Sequence, residues 1–133
     1  MEKRNDDKVI RLGGLFDKEG KTHQIGSIYD MQGLAPNIDT CGGGYRQPLV
    51  ELMENKERIR KLTEGECYRL MGFEEKDTNA CKEVGQPKST IYHQAGDSIV
   101  TTCLVALFGE LLGFDYEQAI KDHADKLHKE VVG

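Results

Sequence analysis

The feature that most constrains the fold is a strongly apolar segment near the end of the chain, between Ile99 and Leu112. Its apolar residues recur at intervals of three and four, which is the spacing of one face of an α-helix. They are Ile99, Val100, Cys103, Leu104, Leu107, Phe108 and Leu111. We expect Asp97 or Ser98 to cap this helix and Gly113 to end it. Such a helix is stable only where another surface covers its apolar face.

Two further helices are predicted on either side of this segment. Thr63 and Glu66 have the spacing of a capping box, so a short helix is expected through Met71, ended by Gly72. After Asp115 a last helix is expected with an apolar face, formed by Tyr116, Ala119, Ile120, Ala124, Leu127 and Val131. Between these helices the polar stretch 74–89 is expected to be a loop, and Thr90–Gln94 a brief strand.

The first part of the chain is predicted to be rich in strands and glycine. Val9–Leu12 and Ser27–Tyr29 have the composition of short strands, and Gln47–Val50 could open another. Three consecutive glycines, Gly42–Gly44, form a loop whose backbone another molecule can approach closely. We therefore expect an α+β fold, with a β-rich part at 1–58 and a helical part at 59–133.

Composition and charge narrow the class of protein. The chain has 133 residues and a net charge of -5, which does not suggest a free-standing DNA-binding protein. Basic residues exceed acidic ones by one in residues 1–61, whereas residues 62–133 carry an excess of six acidic residues. Any contact with a polyanion is therefore expected in the first part. Without a secretory leader or an apolar run of about 20 residues, we expect a cytoplasmic protein that does not enter a membrane.

The four cysteines do not predict a metal site or a disulfide framework. None is spaced as Cys-x-x-Cys, and the four histidines do not form a ligand pattern with them. Cys103 lies on the apolar helix face, so it is expected in the core. We accordingly expect no metal.

Three stretches, in order along the chain, resemble conserved segments of bacterial and phage DNA (cytosine-5) methyltransferases. They are Ile28-Tyr29-x-x-x-Gly33-Leu34-Ala35-Pro36-x-Ile38 with Gly42-Gly43-Gly44, Arg60-Lys61-Leu62-Thr63-x-x-Glu66-Cys67-x-Arg69-Leu70-Met71-Gly72-Phe73, and Tyr92-x-Gln94-Ala95-Gly96-Asp97-Ser98-Ile99-Val100. The first resembles the end of that family's target recognition domain, and the others resemble its ninth and tenth motifs. The resemblance covers about residues 8 to 113.

The resemblance implies a place for the long helix and a role for the residues before it. In the family this helix folds back onto a Rossmann-like domain that binds S-adenosylmethionine, and the preceding loop lines the cofactor pocket. Asp97 and Ser98 stand at those cofactor-binding positions. We expect them at the start of a helix, where free N–H groups can meet polar groups of the cofactor.

The resemblance also implies contact with double-stranded DNA. In the family the glycine-rich stretch is a loop that enters the major groove, where base edges carry an unambiguous hydrogen-bond code. The positions carried over to this chain as DNA-binding are Asn37, Ile38, Gly42, Gly43, Gly44, Tyr45 and Arg46. Arginine at such a position suits guanine or phosphate.

The family's catalytic residues are absent from this sequence. Its nucleophile is a cysteine that follows a proline, whereas Thr40, Glu66, Ala80 and Thr102 precede the four cysteines here. The Glu-Asn-Val and Phe-x-Gly-x-Gly motifs are missing as well. We therefore predict no catalytic residue, and expect S-adenosylmethionine to bind only with a catalytic half. Without that half, the apolar helix face 99–111 is expected to pair with the catalytic half or with a second copy.

A second hypothesis is that the chain is a degenerate, non-enzymatic protein derived from a methyltransferase. Such a protein would bind DNA or another protein, for example as a phage-encoded modulator. Two departures from the family pattern favour it. Glu64-Gly65 stands where the family usually has Pro-Arg, and Asp97 stands where it usually has Asn. A carboxylate beside a cofactor that carries its own carboxylate is unfavourable. A stand-alone enzyme of another class has no support, because the sequence holds no phosphate loop, metal cluster or Ser/His/Asp set.

Overall fold

The computed structural model describes residues 8–40, 46–51 and 59–132, with side chains up to 129. Over these residues the chain is α+β, as predicted, with a small mixed sheet followed by helices. It divides into two compact units, Met1–Thr63 and Glu64–Gly133. Residues 59–61, which we assigned to the helical part, form a strand of the sheet. The connector 52–58 lies outside the described residues.

The first unit contains a four-stranded sheet. Its strands are β1 (Arg11–Gly14), β2 (Ser27–Tyr29), β3 (Leu49–Glu51) and β4 (Ile59–Lys61), side by side in that order. β2 and β3 run parallel, whereas the two outer pairs are antiparallel. The β2 prediction is confirmed, and β1 and β3 lie within two residues of theirs. Their apolar side chains and a neighbouring loop form a small core, made of Ile38, Leu49, Val50 and Leu62.

The second unit contains five helices. They are α1 (Glu64–Leu70), α2 (Glu75–Glu83), α3 (Lys88–Asp97), α4 (Thr101–Leu112) and α5 (Glu117–Val132). The first and third of these helices supply most of the buried apolar side chains, which are Cys67, Tyr68, Ile91 and Ala95. The short helix predicted up to Gly72 is confirmed as α1. Gly72 follows it with a positive φ of 86°, a conformation that favours glycine.

The expected loop at 74–89 and strand at 90–94 are wrong, because α2 and α3 occupy this region. A reciprocal capping box stabilises the start of α2: Glu74 and Asp77 each accept the other's backbone N–H. Pro87 then provides the extended residue before α3. Ile91 and Ala95 are fully buried and four residues apart, so they mark the inner face of a helix. This spacing outweighs the β-branched and aromatic residues that suggested a strand.

The expected caps at the start of α4 are also wrong. Asp97 is the last residue of α3, Ser98 is the C-cap of α3, and Val100 is the N-cap of α4. The N–H of Thr101 donates instead to the Met71 carbonyl at 3.0 Å. The predicted end of α4 is confirmed: Gly113 has a φ of 71° and its N–H donates to the Gly109 carbonyl.

By length and composition alone, the helical stretch Lys88–Leu112 could cross a membrane, although the sequence contains no uninterrupted apolar run of that length. Ser98 is extended and Val100 is also non-helical, so α3 and α4 are separate helices. The stretch is thus divided into helices of 10 and 12 residues, each shorter than the about 20 residues that a bilayer-spanning helix needs.

Candidate functional site

A polar cavity of about 280 Å³ opens in the first unit. We call it the polar opening. Its floor includes Ser27 and Pro48, which are buried, and Tyr29, which is half-buried. Its rim includes the exposed residues Gln24, Asn37, Asp39 and Arg46. The sheet therefore supports a ring of side chains that can donate and accept hydrogen bonds.

The structure brings together two residues that the resemblance marks for DNA contact, Asn37 and Arg46, at this opening. Ile38 lies between them in sequence but is only 5% exposed, so its side chain belongs to the core of the unit. The other four predicted residues, Gly42, Gly43, Gly44 and Tyr45, lie outside the described residues. The DNA-binding assignment of the set stays a prediction.

The loop from β1 to β2 forms one side of the opening and is held by a polar network. Arg11 Nη2 donates to both carboxylate oxygens of Asp17 at 2.7 Å and to the His23 carbonyl at 3.2 Å. The Asp17 carboxylate also accepts the His23 N–H at 3.0 Å. The Arg11 guanidinium, helped by that backbone N–H, lowers the pKa of Asp17. The sequence pattern does not predict this network, because it joins residues that are 6 and 12 positions apart.

The two predicted cofactor residues, Asp97 and Ser98, lie together where α3 ends in the second unit. Asp97 is exposed, and its carboxylate is 2.7 Å from Nδ1 of His93, one turn earlier. The Ser98 hydroxyl donates to the Ala95 carbonyl at 2.7 Å. The expected arrangement at a helix start, with free N–H groups, is therefore absent. Both side chains instead present oxygen atoms that can accept hydrogen bonds.

A side chain of α1 holds the last turn of α3 in place. The Tyr68 hydroxyl donates to Oε1 of Gln94 at 2.8 Å, so the motif that resembles the family's ninth contacts the one that resembles its tenth. Burial, together with the neighbouring Cys81 thiol, raises the pKa of Tyr68 to about 12. Tyr68 therefore stays protonated and keeps donating over the physiological pH range.

The Gly72 carbonyl joins the start of α4 to α5. It accepts hydrogen bonds from the Thr101 hydroxyl at 3.1 Å and from Nε2 of His123 at 2.7 Å. A Cβ at Gly72 would collide with the Thr101 hydroxyl, so only glycine fits here. A more apolar cavity of about 320 Å³ lies beside this junction, lined in part by Phe73, Val105 and Ile120. Nothing in the sequence pattern indicated this cavity, because packing of α5 creates it.

The apolar side of α4 is exposed to solvent. We define the α4 face as Ile99, Cys103, Leu107, Phe108 and Leu111. Its four large side chains are between 50% and 70% exposed. The prediction that Cys103 is a core residue is wrong, since this free thiol is exposed. The predicted helix is confirmed as α4, but within the described residues nothing buries this side of it.

Within residues 8–40, 46–51 and 59–132, no group of three or more His, Cys, Asp or Glu side chains could hold a metal ion. The cysteines of this part of the chain, Cys67, Cys81 and Cys103, are all free thiols.

Comparisons with known proteins agree with the motifs. The model of the C-5 cytosine-specific DNA methylase family matches residues 2–113. An orphan methyltransferase of Bacillus phage rho11s is 49% identical over 57 residues, which are 43% of this chain and 11% of that protein. An orphan methyltransferase of Bacillus phage SPbeta is 27% identical over 132 aligned positions, which take in 66% of this chain and 30% of that protein. A putative type II methyltransferase of Bacillus subtilis gives the same values.

The chain therefore spans between about a tenth and a third of the length of these curated relatives. The family match ends at Gly113, so α5 lies beyond it. Because the match takes in most of the chain and includes all three motifs, the chain belongs to the C-5 cytosine-specific DNA methylase family.

Proposed function

We propose that this chain is the C-terminal, DNA-target-recognising portion of a DNA (cytosine-5) methyltransferase, and that it acts together with a catalytic half that it does not contain. The observation that carries the proposal is the exposed α4 face, which lies inside the segment matched by the family. The catalytic half would supply the nucleophile and most of the S-adenosylmethionine site. In that assembly α4 would complete a Rossmann-like domain.

The composition of α4 supports the proposal of a partner. Among its 12 residues only Glu110 is charged, and a helix that is apolar on most sides is normally buried. Because these side chains are already partly buried, burying the remainder of each exposed Leu or Phe of the α4 face is worth roughly 1–2 kcal/mol. This free energy is available to whatever covers the face. We propose the catalytic half as that partner, and self-association through the same face when the chain is alone.

The first unit supports the part of the proposal that concerns double-stranded DNA. Basic residues are in slight excess in residues 1–61, whereas the rest of the chain is acidic. The polar opening presents amide groups and the Arg46 guanidinium, which are groups that read base edges and phosphates. We place this action in the cytoplasm of a bacterial or phage-infected cell, where such DNA lies.

The residues at the end of α3 fit one part of S-adenosylmethionine. The Asp97 carboxylate and the Ser98 oxygen can accept hydrogen bonds, so they suit the ammonium and hydroxyl groups of this cofactor rather than its carboxylate. When bound, the cofactor supplies the methyl group. We infer that Asp97 and Ser98 hold its donor groups at the edge of a pocket formed mainly by the catalytic half.

Glu64-Gly65, which stands where the family usually has Pro-Arg, takes part in the packing of the second unit. The side chain of Glu64 is buried and pairs with Lys82 at 3.3 Å. Burial alone would raise the pKa of Glu64, but its own backbone N–H and the Lys82 ammonium outweigh burial and lower it. A Cβ at Gly65 would make only ordinary contacts. The fold therefore accommodates this departure without an unpaired buried charge.

A methyl-transfer assay tests the proposal. The full chain is mixed with duplex DNA, labelled S-adenosylmethionine and the part of the Bacillus phage SPbeta methyltransferase outside the segment that this chain matches. We expect transfer to cytosine only when both proteins are present. If the mixture transfers no methyl group but the chain binds DNA in a salt-dependent way, the non-enzymatic DNA-binding reading replaces ours. Absence of both activities would refute the DNA-recognition role as well.

A further inference from the structure

Gln24 stands out at the polar opening because the motifs that resemble the family do not include it. It is exposed and lies at the rim with Asn37 and Arg46. Among the described residues, the side chains of Gln24 and Asn37 form no hydrogen bond. Two amides therefore border a concave surface with their donors and acceptors available to a ligand.

Two hydrogen bonds hold the backbone beside Gln24. The carbonyl of the preceding residue, His23, accepts hydrogen bonds from Arg11 Nη2 at 3.2 Å and from the Ser27 hydroxyl at 2.9 Å. Ser27 in turn accepts Arg11 Nε at 2.9 Å and is only 3% exposed. These bonds connect the loop to the sheet. An exposed side chain on a rigid support loses less conformational entropy on binding than one on a mobile loop.

The chemistry of the amide suggests the base that Gln24 would read. A glutamine amide carries a donor and an acceptor side by side, which match N7 and the N6 amino group of adenine in the major groove. Arg46, on the same rim, suits guanine or phosphate. The opening therefore combines two kinds of recognition.

We propose that Gln24 is a specificity-determining residue, which reads an adenine in the DNA target beside the bases contacted by Asn37 and Arg46. This inference rests on the proposed function, because it requires the chain to recognise DNA. It goes further by naming a residue on the β1–β2 loop and a base. A bidentate amide–adenine pair favours the correct base by roughly 5- to 150-fold.

The test is selection from a pool of duplex DNA with a randomised central segment, bound by the full chain and then sequenced. We expect the wild-type chain to enrich a motif that contains an adenine. Gln24→Ala should remove the preference at that one position and leave the salt dependence of binding unchanged. Gln24→Glu, which presents only acceptors, should shift the preference there towards cytosine.

Gln118→Ala is the control, since it removes another exposed glutamine, from α5; the enriched motif should not change. If Gln24→Ala enriches the same motif with the same adenine preference, the inference is overturned while the proposed function stands. A uniform loss of affinity for all sequences also overturns it, because this would indicate a phosphate contact. If the wild-type chain enriches no motif, sequence-specific recognition fails, and the inference fails with it.

Discussion

The first unit surrounds its cavity with exposed amides, a carboxylate and a guanidinium, whereas the second exposes isoleucine, leucine and phenylalanine side chains on the α4 face. Polar groups that can exchange water for base edges suit a nucleic acid. Apolar side chains gain most from the dry contact of a protein interior or interface. This difference is the basis of our proposal that the two units face different partners, DNA for the first and protein for the second.

The two surfaces also differ in how they are supported. The polar opening depends on a network within one sheet and its loop, centred on Arg11. The α4 face depends on bonds at the start of the helix, where Thr101 and His123 meet the Gly72 carbonyl. Substitutions can therefore alter one surface and leave the other intact.

The largest expected effect comes from placing charges on the α4 face, which should weaken binding through this surface alone. Leu107→Asp combined with Leu111→Asp places two charges on the α4 face, where a partner would have to desolvate them. Binding of the catalytic half should weaken by at least about 100-fold, since each lost leucine contributes roughly 1–2 kcal/mol and the two new charges add a desolvation cost. Isothermal titration calorimetry measures the affinity. DNA binding should be unaffected.

The control for this double variant is Ala124→Asp, which adds a charge at an exposed position of α5. It should leave the affinity for the catalytic half unchanged. Equal loss of affinity in the control and the double variant would contradict the assignment of the interface to α4.

The next largest effect concerns the junction between Gly72 and Thr101, where α4 begins. In Gly72→Ala the alanine backbone must adopt a left-handed conformation, and the new methyl group collides with Thr101. We therefore expect a loss of about 2–4 kcal/mol in unfolding free energy. Gly113→Ala has the same left-handed backbone but meets no atom within 4 Å, so about 1 kcal/mol is expected. Urea unfolding followed by circular dichroism gives both values. Equal losses would show that the Gly72–Thr101 junction is not tightly packed.

The smallest effect is the electrostatic link between α2 and α5. Glu74 lies 2.7 Å from Lys126 and 3.0 Å from Lys76, and these ammonium groups lower its pKa from 4.5 to about 2. Because the pKa is lowered in the folded state, the stabilisation is present above pH 4.5 and disappears as the pH falls through 2. Glu74→Gln should lower the melting temperature slightly at neutral pH and low salt.

Differential scanning calorimetry at several pH values and salt concentrations tests this link. The difference between Glu74→Gln and wild type should shrink at high salt and at acidic pH. Asp125→Asn removes the same charge from an exposed position of α5 and should change the melting temperature less. A difference that does not depend on pH would assign the effect of Glu74 to its capping box instead.

Local rules were sufficient for some elements of the fold and not for others. Gly113 was identified as the end of α4 because a left-handed C-cap depends only on nearby backbone. α2 was missed because its one buried side chain, Thr78, gives no apolar periodicity. The prediction that Asp97 caps the start of α4 is wrong, because the residues around Asp97 suit a helix start as well as the helix end that they form in α3.

The candidate sites show the same limit. The motifs correctly identified the family, and Asn37 and Arg46 do meet at one opening. Gln24 could not be predicted, since its place at the rim depends on strand pairing and on the Arg11 network. The exposure of Cys103 could not be predicted either, because an apolar pattern indicates a face to be covered but not which chain covers it.

Sedimentation velocity of the wild-type chain, alone and mixed with the catalytic portion of the phage SPbeta relative, tests the central claim most directly. We predict that the chain self-associates when alone and forms a one-to-one complex when mixed, because both states cover the α4 face. A sharp monomer boundary in both samples, with no binding of a dye that reports exposed apolar surface, would contradict the claim that another protein surface covers the α4 face.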